Sequence, residues 1–417
     1  MANTATGGLT APFPRSEYEQ RWARAYSAMA RHGYETMIVW QRGAGGFDRA
    51  VNVHWLSNFV AVGSGQDWAD EAASLGWSFA ALVFHRGADP ELHTGQFEEQ
   101  TDTSAIHCGE IFFHTGDVLR GLAAHLSALG VEGQVAVVGD DTLPGLYDRA
   151  LRRLTPQIEW KTEEYLLFEA QRIKSKLELD IYRRAGSIVS EALSCAMKAL
   201  VDGETTAEAA SRAFATVVRH GGGVHRADMN FGPRSERFIT GDPLHGYNTS
   251  RPAPGDLVRG WVYGPILAGY WLDPGRTAIC QRKSTPAQRD LIEGAISIVE
   301  AMIAELKPGA TPRTLALVGD AVARRVGYYD HPQVLPVFGH QIGPYLGPDV
   351  IPDGSLCTVG IIGEATAGQL DAPLQAGMVV GIEAFLRHVG VGTAGFEQNL
   401  IVTDLGSELL TTTPYAF

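Results

Sequence analysis

Apolar positions along the chain alternate between two periods. Tyr18, Trp22, Tyr26 and Met29 share one face of a 3.6-residue spiral, which predicts a helix over 16–31. Short apolar runs at 36–40, 77–85 and 135–138 read as buried strands, and 118–129 reads as a helix that stops at Gly130. Strands and helices therefore alternate through the first 160 or so residues, the texture of an α/β domain. A long helical stretch over 163–200, interrupted at Lys174–Ser175, marks the boundary, giving domains 1–162 and 163–417. A further helix fits 206–219, with Thr205 or Thr206 as its cap.

Beyond Gly221 the pattern changes. Apolar segments at 255–264, 266–280, 357–363, 378–387 and 396–403 are punctuated by Gly and Pro, as in antiparallel strands joined by turns. One helix interrupts them. Thr285 caps it, Pro286 opens it, and Lys307–Pro308–Gly309 ends it; Leu291, Ala295, Val299 and Met302 lie on its apolar face.

Composition narrows the function. Lys and Arg number 34 against 47 Asp and Glu, a net charge of -13, which argues against nucleic acid or an anionic membrane as the main partner. Cys108, Cys195, Cys280 and Cys357 form no CxxC pair, so neither a disulfide framework nor a zinc ribbon is expected. No apolar stretch is long enough to span a membrane, and residues 1–14 lack the form of a signal peptide; a cytoplasmic protein is expected.

Four residues next to glycines or inside apolar strands could carry chemistry: Asp273 in GYWLDPGRT, His340 in FGHQIG, Glu383 in GMVVGIEAF and Glu397 in GFEQNLIVTDLG. Singly, Asp273 also fits a turn and His340 a hydrogen-bonded core position. A carboxylate inside a strand as apolar as that of Glu383 is costly unless paired or metal-bound, and Glu397 repeats the pattern. Two such acids in one domain favour a metal site.

The order and wording of these segments resemble the pita-bread family of aminopeptidase P, prolidase, methionine aminopeptidase and creatinase. Arg172–Ile173–Lys174–Ser175 with Glu178, Gly269–Tyr270 leading to Asp273 and Arg276–Thr277, Gly339–His340, Gly377–Met378 leading to Glu383, and Glu397 leading to Val402–Thr403 carry the likeness. Asn52 with Trp55–Leu56–Ser57 and Phe59 resembles the amino-terminal domain of the aminopeptidase P, prolidase and creatinase branches. The resemblance implies an α+β fold, in which a pita-bread catalytic domain with a curved antiparallel sheet and flanking helices follows a smaller α/β domain. It implies a homodimer, a small-molecule or dipeptide-like substrate, and hydrolysis of a C–N (amide or amidine) bond by water activated on a divalent ion.

Carried over residue by residue, Asp273, His340, Glu383 and Glu397 are the implied metal ligands, and Glu383 and His245 the catalytic groups. Substrate contacts fall to His245, Tyr270 and Arg276. The family's first ligand aspartate precedes the second by eleven residues, a position filled by Val262. The four remaining ligands imply a mononuclear site for Mn, Fe, Co or Zn. Gly347, Gly395 and Ala384 stand where substrate-side His, Arg and Pro are expected, which turns the reading away from ordinary Xaa-Pro cleavage. Trp261, Tyr263, Tyr270, Trp271, Tyr345 and Phe385 are candidate pocket aromatics. Three alternatives stay open: a metal-free creatinase-like amidinohydrolase, a lyase of the dimethylsulfoniopropionate-cleaving branch, and a non-catalytic relative.

Overall fold

The structure is a computed structural model that describes residues 12–42, 47–61, 68–69, 74–75, 78–115, 117–232, 235, 246–327, 337–342, 346–352 and 370–417. The chain divides into two compact units, Met1–Gln171 and Arg172–Phe417. The boundary thus falls later than residue 162, because the short helix Glu164–Gln171 packs with the first unit, where Glu169 receives Arg31 and Gln171 donates to Asn52.

In the first unit the strands run in the order Ile111–Phe113, Glu91–Thr94, Phe79–His85, Thr36–Arg42, Gly133–Val138 and Ile158–Thr162. The pairing is mixed: Thr36–Arg42 is antiparallel to Phe79–His85 and parallel to Gly133–Val138. On one face Ile38, Trp40, Val83 and Val137 bury against Val118, Leu122 and Leu126 of the helix Val118–Ala128. That helix is capped by Asp117, whose side chain accepts from the Arg120 amide, and it ends before Gly130 at φ 68°. The helix Phe47–Ser57, which carries Asn52 and Trp55, had no clear period in the sequence.

The second unit is built on an antiparallel sheet. Among the described residues its main path is Tyr270–Leu272, Leu257–Leu267, Gly275–Ile279, Gly392–Val402, Val379–His388, Val337–Ile342 and Leu346–Pro352. Arg226–Phe231 adds to Leu257–Leu267, and Ser407–Leu409 adds to Gly392–Val402. The interrupted helical stretch resolves where Ser175 starts the helix Lys176–Val201 with a capping box to Glu178. Thr205 and Thr285 do the same for Thr206–Arg219 and Pro286–Glu305. The expected strand at 357–363, and Cys357 with it, lie outside the described residues.

Strand period places the chemistry. Val380, Ile382, Ala384 and Leu386, with Ala394, Phe396, Leu400 and Val402, bury against Leu291, Ala295, Ile298, Val299 and Met302 of the helix Pro286–Glu305. Successive side chains point to opposite faces, so Glu383, Phe385, Glu397 and Asn399 occupy the other face of the same two strands. A one-residue slip in either strand would exchange Glu383 or Glu397 for a core residue.

Candidate metal centre

Glu383 and Glu397 lie directly opposite each other in the ladder between Val379–His388 and Gly392–Val402. Like charges so placed repel unless a cation lies between them. Gly275 of the next strand pairs with Glu397, two residues after Asp273, and Gly381 pairs with His340 on the far side. His340 Nε2 stands 3.2 Å from Asp273 Oδ2 and 3.4 Å from Glu397 Oε1. One donor atom each from Asp273, His340 and Glu397 fall within 4.8 Å of one another. Glu383 lines the same cavity. A side chain on Gly381 would reach to 2.7 Å of Glu397 Oε1, so the cradle depends on glycine there.

The field of the centre favours positive charge. Burial pushes the Glu383 carboxyl up to about 7, against the pull of His340 and with help from Asp273. Burial likewise drives Glu397 well above the usual carboxylate range, with Asp273 and Glu383 adding to it. Burial would raise Asp273 too, but His340 outweighs it and holds Asp273 low. His340 is desolvated, yet Asp273 and Glu397 raise it well above an ordinary imidazole. Three carboxylates and one imidazole that share protons in this way suit a hard or borderline divalent ion, which would replace those protons.

Other side chains hold the set in place. Asn399, fully buried, donates to Asp273 Oδ1 at 2.7 Å and accepts from the Asp273 amide at 3.0 Å. Trp261 donates its indole N–H to Glu397 Oε2 at 2.8 Å and stacks on Phe385, with centroids 5.1 Å apart. This pair explains one departure from the family pattern. A Cβ on Gly395 would lie 2.5 Å from Phe385 and 2.7 Å from Trp261, so an arginine cannot stand there. Gly275 is still tighter, at 1.7 Å from the Trp261 ring.

The surrounding cavity is about 250 Å³ and is lined by Arg226, Asp228, Asn230, Arg259, Trp261, Tyr263 and Phe385 in addition to the four ligand candidates. Arg259 is buried, 5.7 Å from the centroid of Trp261 and 5.9 Å from that of Phe385. Arg226 pairs with Asp228, which also accepts from the Tyr263 hydroxyl at 2.7 Å.

Two expected substrate contacts need correction. Tyr270 is absent from the cavity lining; its hydroxyl donates to Glu178 at 2.9 Å and its ring meets Tyr182 of the helix Lys176–Val201. Arg276 is also absent, because it neighbours Gly275 and strand period turns it to the opposite face. There it donates to the carbonyls of Glu397, Thr413 and Pro414. Val262 likewise faces away from the cavity; the residue beside Glu397 is its neighbour Trp261. Trp271 does not line the cavity, whereas Trp261, Tyr263 and Phe385 do. His245 and Tyr345 lie outside the described residues.

The residues that sequence reading missed carried a faint signal. In Arg226–Phe231 the polar residues Arg226, Asp228 and Asn230 alternate with Ala227, Met229 and Phe231. A strand this polar on one face, inside an apolar domain, marks a lined cavity.

The description of Metallopeptidase family M24 matches residues 180–404. A Xaa-Pro dipeptidase of Pyrococcus furiosus is 21% identical over 378 residues, covering 88% of this chain and 92% of that protein. The crystal structure of dipeptidase PepE from Mycobacterium ulcerans superposes with a TM-score of 0.73 at 20% identity, over 97% of this chain and 98% of that one. The N-terminal domain of the FACT complex subunit SPT16 from chickpea reaches a TM-score of 0.74 at 12% identity, over 97% and 99%. The likeness to these structures establishes the two-domain α+β pita-bread fold that the sequence implied.

Proposed function

The chain belongs to metallopeptidase family M24 and is a metallopeptidase-like hydrolase; from that premise we propose that it holds a single divalent ion (Mn, Fe, Co or Zn) on Asp273, His340, Glu383 and Glu397, and cleaves the C–N bond of a small, carboxylate-bearing, dipeptide-like substrate. The observation that carries this reading is the convergence of Asp273, His340 and Glu397 within 4.8 Å, with Glu383 facing Glu397 across the ladder. An ion held there supplies a Lewis acid that activates water and polarises the scissile carbonyl. Single occupancy is supported by Trp261. Its neutral N–H meets Glu397 Oε2, the oxygen that a neighbouring cation would need, and its ring fills the adjoining space between Gly275 and Gly395.

The chain's own groups supply the rest. Glu383 lines the cavity beside the place where such an ion would hold its water, and its carboxylate would take the water's proton and return it to the leaving nitrogen. Asn399 fixes Asp273, so the acid cannot rotate toward the substrate. Arg259 keeps its charge inside the cavity and is placed to take the substrate carboxylate, while Trp261, Tyr263 and Phe385 exclude water around an apolar side chain. His245 stays in this proposal as a group that steadies the substrate oxygen, on the family resemblance alone. So do the homodimer and the cytoplasm.

Dipeptides with and without prolyl residues, tested against chelator-treated and Mn²⁺-reloaded protein, decide it. Turnover lost on chelation, restored by metal and abolished in Glu383→Ala is expected. Unchanged turnover after both treatments would sink the reading. Two ions released per chain on disabling this cluster with Glu397→Ala would sink its single-ion part.

A further inference from the structure

A second group of donor atoms lies in the first unit, in a place that hydrolysis does not use. Glu91 and His93 are two apart on the strand Glu91–Thr94, so both side chains leave the same face. The helix Val118–Ala128 packs on that face and brings His125, in its last turn, against them. His125 Nε2 stands 2.7 Å from Glu91 Oε2. One nitrogen of each imidazole and a Glu91 oxygen lie within 4.8 Å of one another. Ligands about 2.1 Å from one ion stand at most about 4.2 Å apart, so small side-chain shifts would close this group around a shared ion.

His93 is the telling residue. It is fully buried, stacked on Phe112 at 4.7 Å, and its Nδ1 is 2.9 Å from His114 Nε2. Its Nε2 is buried and has no hydrogen-bond partner among the described residues. A buried ring nitrogen left unsatisfied costs about 1–3 kcal/mol, and a structural explanation is called for. If His93 donates from Nδ1 to His114, Nε2 carries a lone pair aimed outward from that bond. This is the arrangement in which a metal-binding imidazole has its tautomer fixed by an outer partner. The helix makes room for that partner: a Cβ on Gly121 would lie 1.9 Å from His114 Nδ1. A mid-helix glycine costs about 1 kcal/mol relative to alanine, and the space it leaves is the space His114 fills.

We propose that Glu91, His93 and His125 form a binding site for a borderline transition-metal dication of the zinc type, with His114 orienting His93 from behind. Two imidazoles and one carboxylate suit Zn²⁺ better than the hard ions that all-oxygen cages take. Glu91 and His125 are partly exposed, at 21% and 17%, so the ion can enter from solvent and keep a water as its fourth ligand.

The test uses full-length protein stripped with chelator, titrated with Zn²⁺, desalted and measured by elemental analysis. Wild type is expected to retain one ion per chain more than His93→Phe, a change that keeps the stack on Phe112. Glu91→Gln and His125→Gln are expected to show the same deficit, and they decide the matter alone if His93→Phe does not fold. The cluster around Asp273 is intact in every variant, so the difference isolates the first unit whatever the second unit holds. His114→Phe is expected to lower Zn²⁺ affinity roughly 10–100-fold, with partial recovery in His114→Asn, which keeps an acceptor. Equal zinc content in wild type, Glu91→Gln and His125→Gln would overturn the proposal.

Discussion

The two donor clusters solve one problem with different materials. Around Asp273, candidate donors far apart in sequence are gathered by adjacent strands of one sheet and the link before Gly275, and three of the four are acids. Around His93, two residues of one strand meet a helix that follows shortly in the chain, and two of three donors are imidazoles. The first arrangement places His340, Glu383 and Glu397 by strand register and Asp273 in the two-residue link before Gly275, where Asn399 of the ladder holds it, so its geometry is nearly as rigid as the hydrogen-bonded ladder. The second depends on how a helix seats on a sheet, and side-chain packing there sets the geometry. A site for catalysis gains from the former, since small displacements of reacting groups are expensive.

The sharpest break of this comparison is a double dissociation in turnover. Asp273→Asn or Glu397→Ala is expected to cost roughly 10³-fold or more in peptide hydrolysis, as several kcal/mol of charge stabilisation are lost. His93→Phe is expected to leave turnover near wild type. Comparable losses in both would unite the clusters functionally and remove the contrast.

Glycine exchanges come next. In an open helix Gly→Ala stabilises by about 1 kcal/mol, yet Gly121→Ala should destabilise by roughly 1–3 kcal/mol because His114 is already there. Gly395→Ala should cost a similar amount by pushing apart Trp261 and Phe385. Both are read as shifts in denaturant midpoint. Trp261→Phe keeps the aromatic stack but leaves Glu397 Oε2 without its N–H, a loss of roughly 1–3 kcal/mol in metal-free protein. Added Mn²⁺ should recover much of it, and failure to recover would show that the indole serves packing alone.

The smallest effect has opposite signs in the two units. Burial and the nearby Arg21 hold His54 down at about 4, and burial with His114 and His125 holds His93 at about 2. In the unfolded chain both titrate near 6.5, so unfolding takes up protons and the first unit weakens as pH falls below about 6.5. Glu383, Glu397 and His340 are raised instead. Their stabilisation is present at low pH and is lost as pH rises; for Glu383 the window runs from about 4.3, its unfolded value, to about 7. Hydrogen exchange of peptides from each unit, in chelator between pH 5 and 8, should show protection moving in opposite directions.

The sequence made much of this legible. Caps at Ser175, Thr205 and Thr285 are local chemistry and announced their helices. Acids inside apolar strands announced Glu383 and Glu397, because such positions are too costly without a purpose. Three kinds of residue stayed hidden. Tyr270 and Arg276 sit beside a ligand in sequence, but which face a neighbour takes depends on bulge and register, which only the folded sheet settles. Trp261 and Asn399 act through contacts across strands, invisible to any window along the chain. Glu91, His93 and His125 look like ordinary polar residues until a helix is laid over the strand.

The guanidinium of Arg276 has a consequence of its own. It grips the main chain at Thr413 and Pro414 with the same fork that reaches the Glu397 carbonyl, and Tyr415 lies over it. The segment following Leu410 is therefore a rear brace for the ligand strand. Cutting the chain after Thr412 would strip this buried cation of its Thr413 and Pro414 acceptors, leave it only those at Gly275, Glu397 and Gln398, and loosen Glu397 from behind, though no catalytic atom had been removed.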